Sequence, residues 1–157
     1  MRESMPTLRL IAPSDHDLRR RIRDLSASAG HSERRILEVL TAVNEAMLNA
    51  RRHGDLSSER SPIQVLARDE RSEVIVEILD SGSGIDTVPP LPDIERTLEK
   101  KDSRGGWGLF LMRCFASEVV FARHKTGGNM VRMRFGPTAP ATPVGIVILD
   151  AGGERSA

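Results

Sequence analysis

The chain has 157 residues, 39% of them hydrophobic and 29% charged, with 23 Lys and Arg against 22 Asp and Glu for a net charge of +1. These values fit one ordinary domain with its own core, and they argue against a wholly disordered chain and against a general nucleic-acid or membrane-surface binder. A lone cysteine, Cys114, excludes an internal disulfide, and an aromatic content of 3% leaves few platforms for stacking single-stranded nucleic acid.

Charges at Arg2, Glu3 and Arg9 break up the N-terminus, so no signal peptide is expected there. No run is as apolar as a membrane helix requires, and the expected location is the cytoplasm. Thr7 to Ile11 alternates weakly and predicts a short strand. Pro13-Ser14-Asp15 breaks it, and Ser14 or Asp15 can cap a helix running to about Ser28. Its apolar stripe is narrow (Leu18, Ile22, Leu25, Ala29), its surface is basic at Arg19, Arg20, Arg21 and Arg23, and Gly30 marks its end. Such a charge run is usually a solvated face.

Ser32 opens a second helix, with Arg35 where a capping box would place Glu. Ile36, Leu37, Leu40, Val43, Met47 and Leu48 hold a helical period, and His53-Gly54 ends it. Ile63–Ala67 and Val74–Leu79 read as strands joined by a polar loop over Arg68–Ser72. The second is apolar and β-branched almost throughout, which predicts a central place in its sheet. Asp80 to Ser103 is a long irregular segment holding three prolines, with a short helix expected over Asp93–Lys100. A helix over Gly108–Phe115 and strands over Glu118–Ala122 and Met130–Phe135 follow, the strands flanking a Thr126-Gly127-Gly128-Asn129 turn. Cys114 sits among Leu111, Met112 and Phe115 and reads as a buried thiol. Residues 1–136 are expected to form one domain. Residues 137–157 read either as a tail or, through Val144–Leu149, as an extra strand. The order β-α-α-β-β-loop-α-β-β predicts an α+β fold: a two-layer α/β sandwich with a mixed, mostly antiparallel sheet packed on helices.

Three segments carry candidate chemistry. Glu45 and Asn49 lie four apart on the second helix and share a face, with the small Ala46 and Ala50 beside them. The amide oxygen is a hard ligand for Mg2+, and the carboxylate can take a proton or orient a nucleophile. A merely polar helix face would look the same. Asp80-Ser81-Gly82-Ser83-Gly84 follows a buried strand. Its acid can accept from an exocyclic amine, although an Asx-capped glycine turn is the plainer reading. Arg104-Gly105-Gly106-Trp107-Gly108-Leu109 opens a helix, and the glycines would bare backbone N–H groups to an anion. Neither a P-loop nor a dinucleotide fingerprint is present.

In this order the three segments resemble the N box and two glycine boxes of the GHKL ATPase superfamily, over roughly Leu8 to Phe135. Within it, Ala42–Gly54 and Gly106–Met112 are most similar to the stand-alone bacterial anti-sigma-factor serine kinases. The resemblance implies an ATP- and Mg2+-dependent kinase. It would phosphorylate a serine on an anti-sigma-factor antagonist protein and hold a sigma factor or similar regulator inactive. The expected state is a homodimer without direct nucleic-acid or membrane contacts. The alternative is a nucleotide-binding module that works by sequestration with little kinase activity. Motif by motif, the resemblance implies Glu45 as base, Asn49 as magnesium ligand and Asp80 as acceptor of the adenine amine. Gly82 and Gly84 would line the adenine pocket. Gly105, Gly106, Gly108, Leu109 and Arg104 would serve the phosphates, and Arg19 and Arg20 would contact partners. Trp107 stands where the family commonly has a smaller aliphatic residue, and Asn129 reads as a turn residue, although the family often places a polar residue near the nucleotide there.

Overall fold

The computed structural model describes residues 7–53, 62–85, 87, 88, 90, 92, 106–123, 127–150 and 153. The helix expected over Asp93–Lys100 lies outside these residues. In chain order the described elements are β1 (Leu8–Ile11), α1 (Asp15–Ser28), α2 (Glu33–His53), β2 (Gln64–Glu70), β3 (Glu73–Asp80), α3 (Trp107–Phe115), β4 (Glu118–Arg123), β5 (Asn129–Phe135) and β6 (Ile146–Leu149). One sheet holds them in the order β1-β2-β3-β5-β4-β6. All neighbours pair antiparallel except β4 and β6, which are parallel. The expected α+β sandwich and the central place of β3 are both found.

Helix ends follow the residues that cap them. Ser14 Oγ accepts from the Asp17 N–H at 3.1 Å and so fixes the start of α1. At the other end, Gly30 N donates to Ala27 O (3.0 Å) and His31 N to Ser26 O (3.0 Å), turning the chain into α2. Ser32 Oγ accepts from the Arg35 N–H at 3.2 Å, so α2 is capped by the serine alone.

The core lies between the helices and one face of the sheet. Ile22 of α1, Ile36, Val39, Val43 and Met47 of α2 and Met112 of α3 pack against Val65, Val76, Ile78, Val131, Met133 and Phe135. Along β5 every second residue is buried, as a half-buried strand requires. The opposite face carries charge: Arg134 meets Glu73 at 2.7 Å, Arg132 meets Glu118 at 3.5 Å and Arg68 meets Glu77 at 3.5 Å. No helix among the described residues is long and apolar enough to cross a membrane.

Three readings need correction, and the place of Arg35 is new. The loop between β2 and β3 is two residues, Arg71 and Ser72, at φ 54° and 68°; the strands run straight through Arg68–Glu70. Leu37 is exposed rather than part of the core stripe of α2. Arg35 is buried at 2% exposure, donating from Nε to Gly136 O at 2.8 Å and from Nη1 to Glu38 at 3.0 Å, with its guanidinium 5.8 Å from the Phe135 ring centre. Cys114 is only half-buried, although desolvation still raises its thiol pKa, against a lesser opposing pull from Arg113. The apolar run near the C-terminus is a strand, paired from Val119↔Ile146 to Ala122↔Leu149.

Candidate functional site

A cavity of about 530 Å³ opens between α2, the head of α3 and the ends of β3, β4 and β5. That volume is within the range of small-molecule sites, which run to roughly 300–1,000 Å³. Glu45, Asn49, Asp80, Gly84, Gly106, Gly108 and Leu109, all expected from the sequence, line it together. Arg104 and Gly105 lie outside the described residues. Arg19 and Arg20 sit on α1 and do not line the cavity. Arg20 pairs with Asp17 at 2.7 Å, and Arg21 lies 3.8 Å from the same carboxylate, so much of that patch neutralises itself.

One end of the cavity is built by β3 and β5. Asp80 and Asn129 are directly opposite in the strand register. Asp80 Oδ1 accepts from the Gly82 N–H at 2.7 Å and from Asn129 Nδ2 at 3.2 Å. Asn129 Nδ2 also donates to Gly82 O. Gly82 thus belongs to the scaffold that orients the acid, while Gly84 is the glycine on the cavity wall. Gly84 holds φ +79°, and a Cβ there would run into the Asn129 side chain. Asn129 is buried and is a strand residue, not the turn residue its Gly-Gly-Asn context suggested.

The other end is built by α2 and α3. A Cβ on Gly108 would lie 2.8 Å from Glu45 Oε2, so this glycine is what lets α3 approach the carboxylate. No side chain caps the head of α3, whose N-cap is Gly106, and its first backbone N–H groups have no partner within the helix. That end carries the positive pole of the helix dipole and suits an anion. Trp107 sits there too, edge-on to Phe110 with ring centres 5.6 Å apart.

Sequence reasoning passed over Arg52. It lies seven residues after Glu45 and three after Asn49, so the three form one stripe of α2 along the cavity. Among the described lining residues it is the one cation. The signal was its helical spacing, which the neighbouring Arg51 obscured. Arg51 turns away to Asp15 at 2.6 Å and holds that exposed carboxyl below its usual pKa.

The donors fit a magnesium nucleotide. An acid braced at a strand end can accept from an amine, an uncapped helix head can donate to phosphates, and an amide and a carboxylate share one face of α2. Among the described residues no group of three or more His, Cys, Asp or Glu could hold a metal. Of the lining residues, Asn49 would offer a magnesium ion an amide oxygen and Glu45 a carboxylate.

Comparison with known proteins agrees with this geometry. Residues 14–135 match the family model described as "Histidine kinase-like ATPase domain", and the chain belongs to that family. Within it, the chain is similar to the anti-sigma F factor of Clostridium botulinum (strain Eklund 17B / Type B), at 32% identity over 99 residues, covering 63% of this chain and 69% of that one. It is 28% identical to the anti-sigma F factor of Thermoanaerobacter sp. (strain X514) over 98 residues, covering 62% and 68%. The fold is similar to part of the structure described as the RsbU and RsbW domains of Rv1364c from Mycobacterium tuberculosis, at TM-score 0.56 and 22% identity, over 90% of this chain and 35% of that one. The present chain thus spans about a third of that structure.

Proposed function

We propose that the chain is an ATP- and Mg2+-dependent protein serine kinase. Its substrate is a small antagonist protein, and the switch it operates holds a sigma factor or similar regulator inactive. The observation that carries this reading is one cavity lined both by Glu45 and Asn49 of α2 and by the uncapped head of α3. The names of the similar proteins, anti-sigma F factors, support the regulatory half.

The residue roles follow. Asp80, oriented by Gly82 and Asn129, accepts from the adenine amine, and Gly84 lets the base lie against the backbone. N–H groups at Gly106, Trp107, Gly108 and Leu109 donate to phosphate oxygens, and Arg104, Gly105 and Arg52 are assigned to that end. Magnesium, when bound, would neutralise phosphate charge with Asn49 as its protein ligand. Glu45 takes the proton of the acceptor serine as its oxygen bonds to the γ-phosphorus. The bond from that phosphorus to the ADP oxygen breaks, and ADP leaves with the electron pair. Such transfer needs mainly positioning and charge stabilisation, which this arrangement is suited to supply. Arg19 and Arg20 on α1 are assigned to the partner surface. Homodimerisation and a cytoplasmic location belong to the same proposal.

The test is calorimetric titration with ATP and Mg2+, followed by phosphoryl transfer to a serine-bearing antagonist protein. Asp80→Asn should weaken ATP binding by roughly 1–3 kcal/mol, the cost of a mispaired polar contact. Asn49→Ala should remove the magnesium dependence, and Glu45→Ala should bind ATP yet transfer nothing. Absence of binding at millimolar ATP would overturn the reading. Transfer that survives Glu45→Ala would overturn the assignment of the base.

A further inference from the structure

The segment after Gly136 lies beyond the family match, which ends at residue 135. Yet it returns to the site. Val144 N donates to Arg113 O at 2.9 Å, and Arg113 Nε donates to Val144 O at 2.6 Å, so one residue of α3 grips the returning chain twice. The chain then pairs as β6 along four residues of β4. A narrow crevice separates Ile148 and Leu149 of β6 from Gly84, Ile85, Phe121 and Asn129. Those last four residues also line the main cavity. At the Asp80 end the cavity and this crevice therefore share wall residues, and β6 lines the crevice.

We propose that β6 is a positioning strand for the base end of the nucleotide site. Docked on β4 and tied to α3, it holds Phe121 and the Gly84–Ile85 turn in the places that shape the cavity. Released, it leaves β4 as a bare edge and Phe121 without Ile148 at its register position. Strand docking and nucleotide binding then favour one another, and by linkage the coupling acts equally in both directions. The proposal rests on the nucleotide reading of the cavity.

Four proteins test it by calorimetry and thermal unfolding: the full chain, Ile148→Ala, a chain ending at Pro143, and Leu10→Ala in β1 at the opposite sheet edge. Leu10 packs against the core far from the crevice, so it controls for a loss of stability alone. Ile148→Ala should weaken ATP and AMP binding alike, by about fivefold, because both carry the base. The shortened chain should lose more. Leu10→Ala should lower Tm with nucleotide affinity unchanged. Equal affinity in the full chain and Ile148→Ala would overturn the proposal, and so would an equal loss in Leu10→Ala. Ile148→Ala keeps the question answerable if the shortened chain does not fold. Failure of the full chain to bind ATP overturns the nucleotide reading itself, and this proposal with it.

Discussion

At Gly84 a single added methyl group meets two obstacles, a backbone at φ +79° and the side chain of Asn129. Gly84→Ala should therefore cost roughly 1–3 kcal/mol of folding stability and loosen the Asp80–Asn129 pair. Urea unfolding and ATP titration would show both effects; a variant as stable and as tight-binding as the parent would sink the argument. Arg52 gives a prediction of opposite selectivity. On the proposed role of Arg52 at the phosphates, Arg52→Ala should lower ATP affinity about fivefold while AMP affinity holds. An equal loss for both nucleotides would place Arg52 elsewhere. Glu45, Asn49 and Asp80 were legible in the sequence because their spacing and order are local patterns. Asn129 was not, since its meaning comes from a strand register that sets it opposite a residue 49 positions earlier. Arg52 was hidden by its twin: Arg51 and Arg52 differ only in which way α2 turns them.

Among the elements, legibility follows the range of the interactions that define them. α1, α2 and β3 announce themselves through caps, period and β-branched composition. The β2–β3 hairpin does not, because its turn residues at positive φ are Arg71 and Ser72 rather than Gly or Asn. β6 is decided only by its pairing with β4, which four apolar residues cannot reveal. The first turn of α2 also holds a residue whose place the sequence did not reveal. Arg35 looks like surface, yet it links α2 to the end of β5 through Gly136 O and to its own helix through Glu38. Removing it leaves a buried carbonyl without its donor and empties the space beside Phe135. Arg35→Ala should cost about 3 kcal/mol or more, measured by urea unfolding. A loss below about 0.5 kcal/mol would mean that the guanidinium is a passenger.

For the whole molecule, stability should depend on pH through a contact at the end of the sheet remote from the cavity. His31 joins α1 to α2, is buried, and its ring Nε2 lies 3.3 Å from Ser72 O on the β2–β3 turn. Nδ1 has no partner among the described residues. Burial lowers its pKa below the usual 6.5, the Ser72 carbonyl opposes that fall, Arg35 adds to it, and Asp69 opposes it weakly. The folded chain therefore prefers the neutral ring, which donates from Nε2 to Ser72. The unfolded chain takes up its proton near pH 6.5, while the folded chain resists until lower pH. The unfolded state then binds more protons in that window, so stability rises with pH across it. The contribution is complete above about pH 6.5 and declines as pH falls from there towards the folded value. Tm should drop between pH 7 and pH 5, and His31→Gln, which keeps a donor but does not titrate, should flatten that drop. The nucleotide site should not share this dependence. Val74↔Phe135 marks the His31 end of the β3–β5 ladder and Asp80↔Asn129 the cavity end, seven rungs counting both. An unchanged Tm profile in His31→Gln would rule out His31 as its source. ATP affinity that followed the same pH step, and lost it in that variant, would instead mean that the two ends of the sheet are coupled.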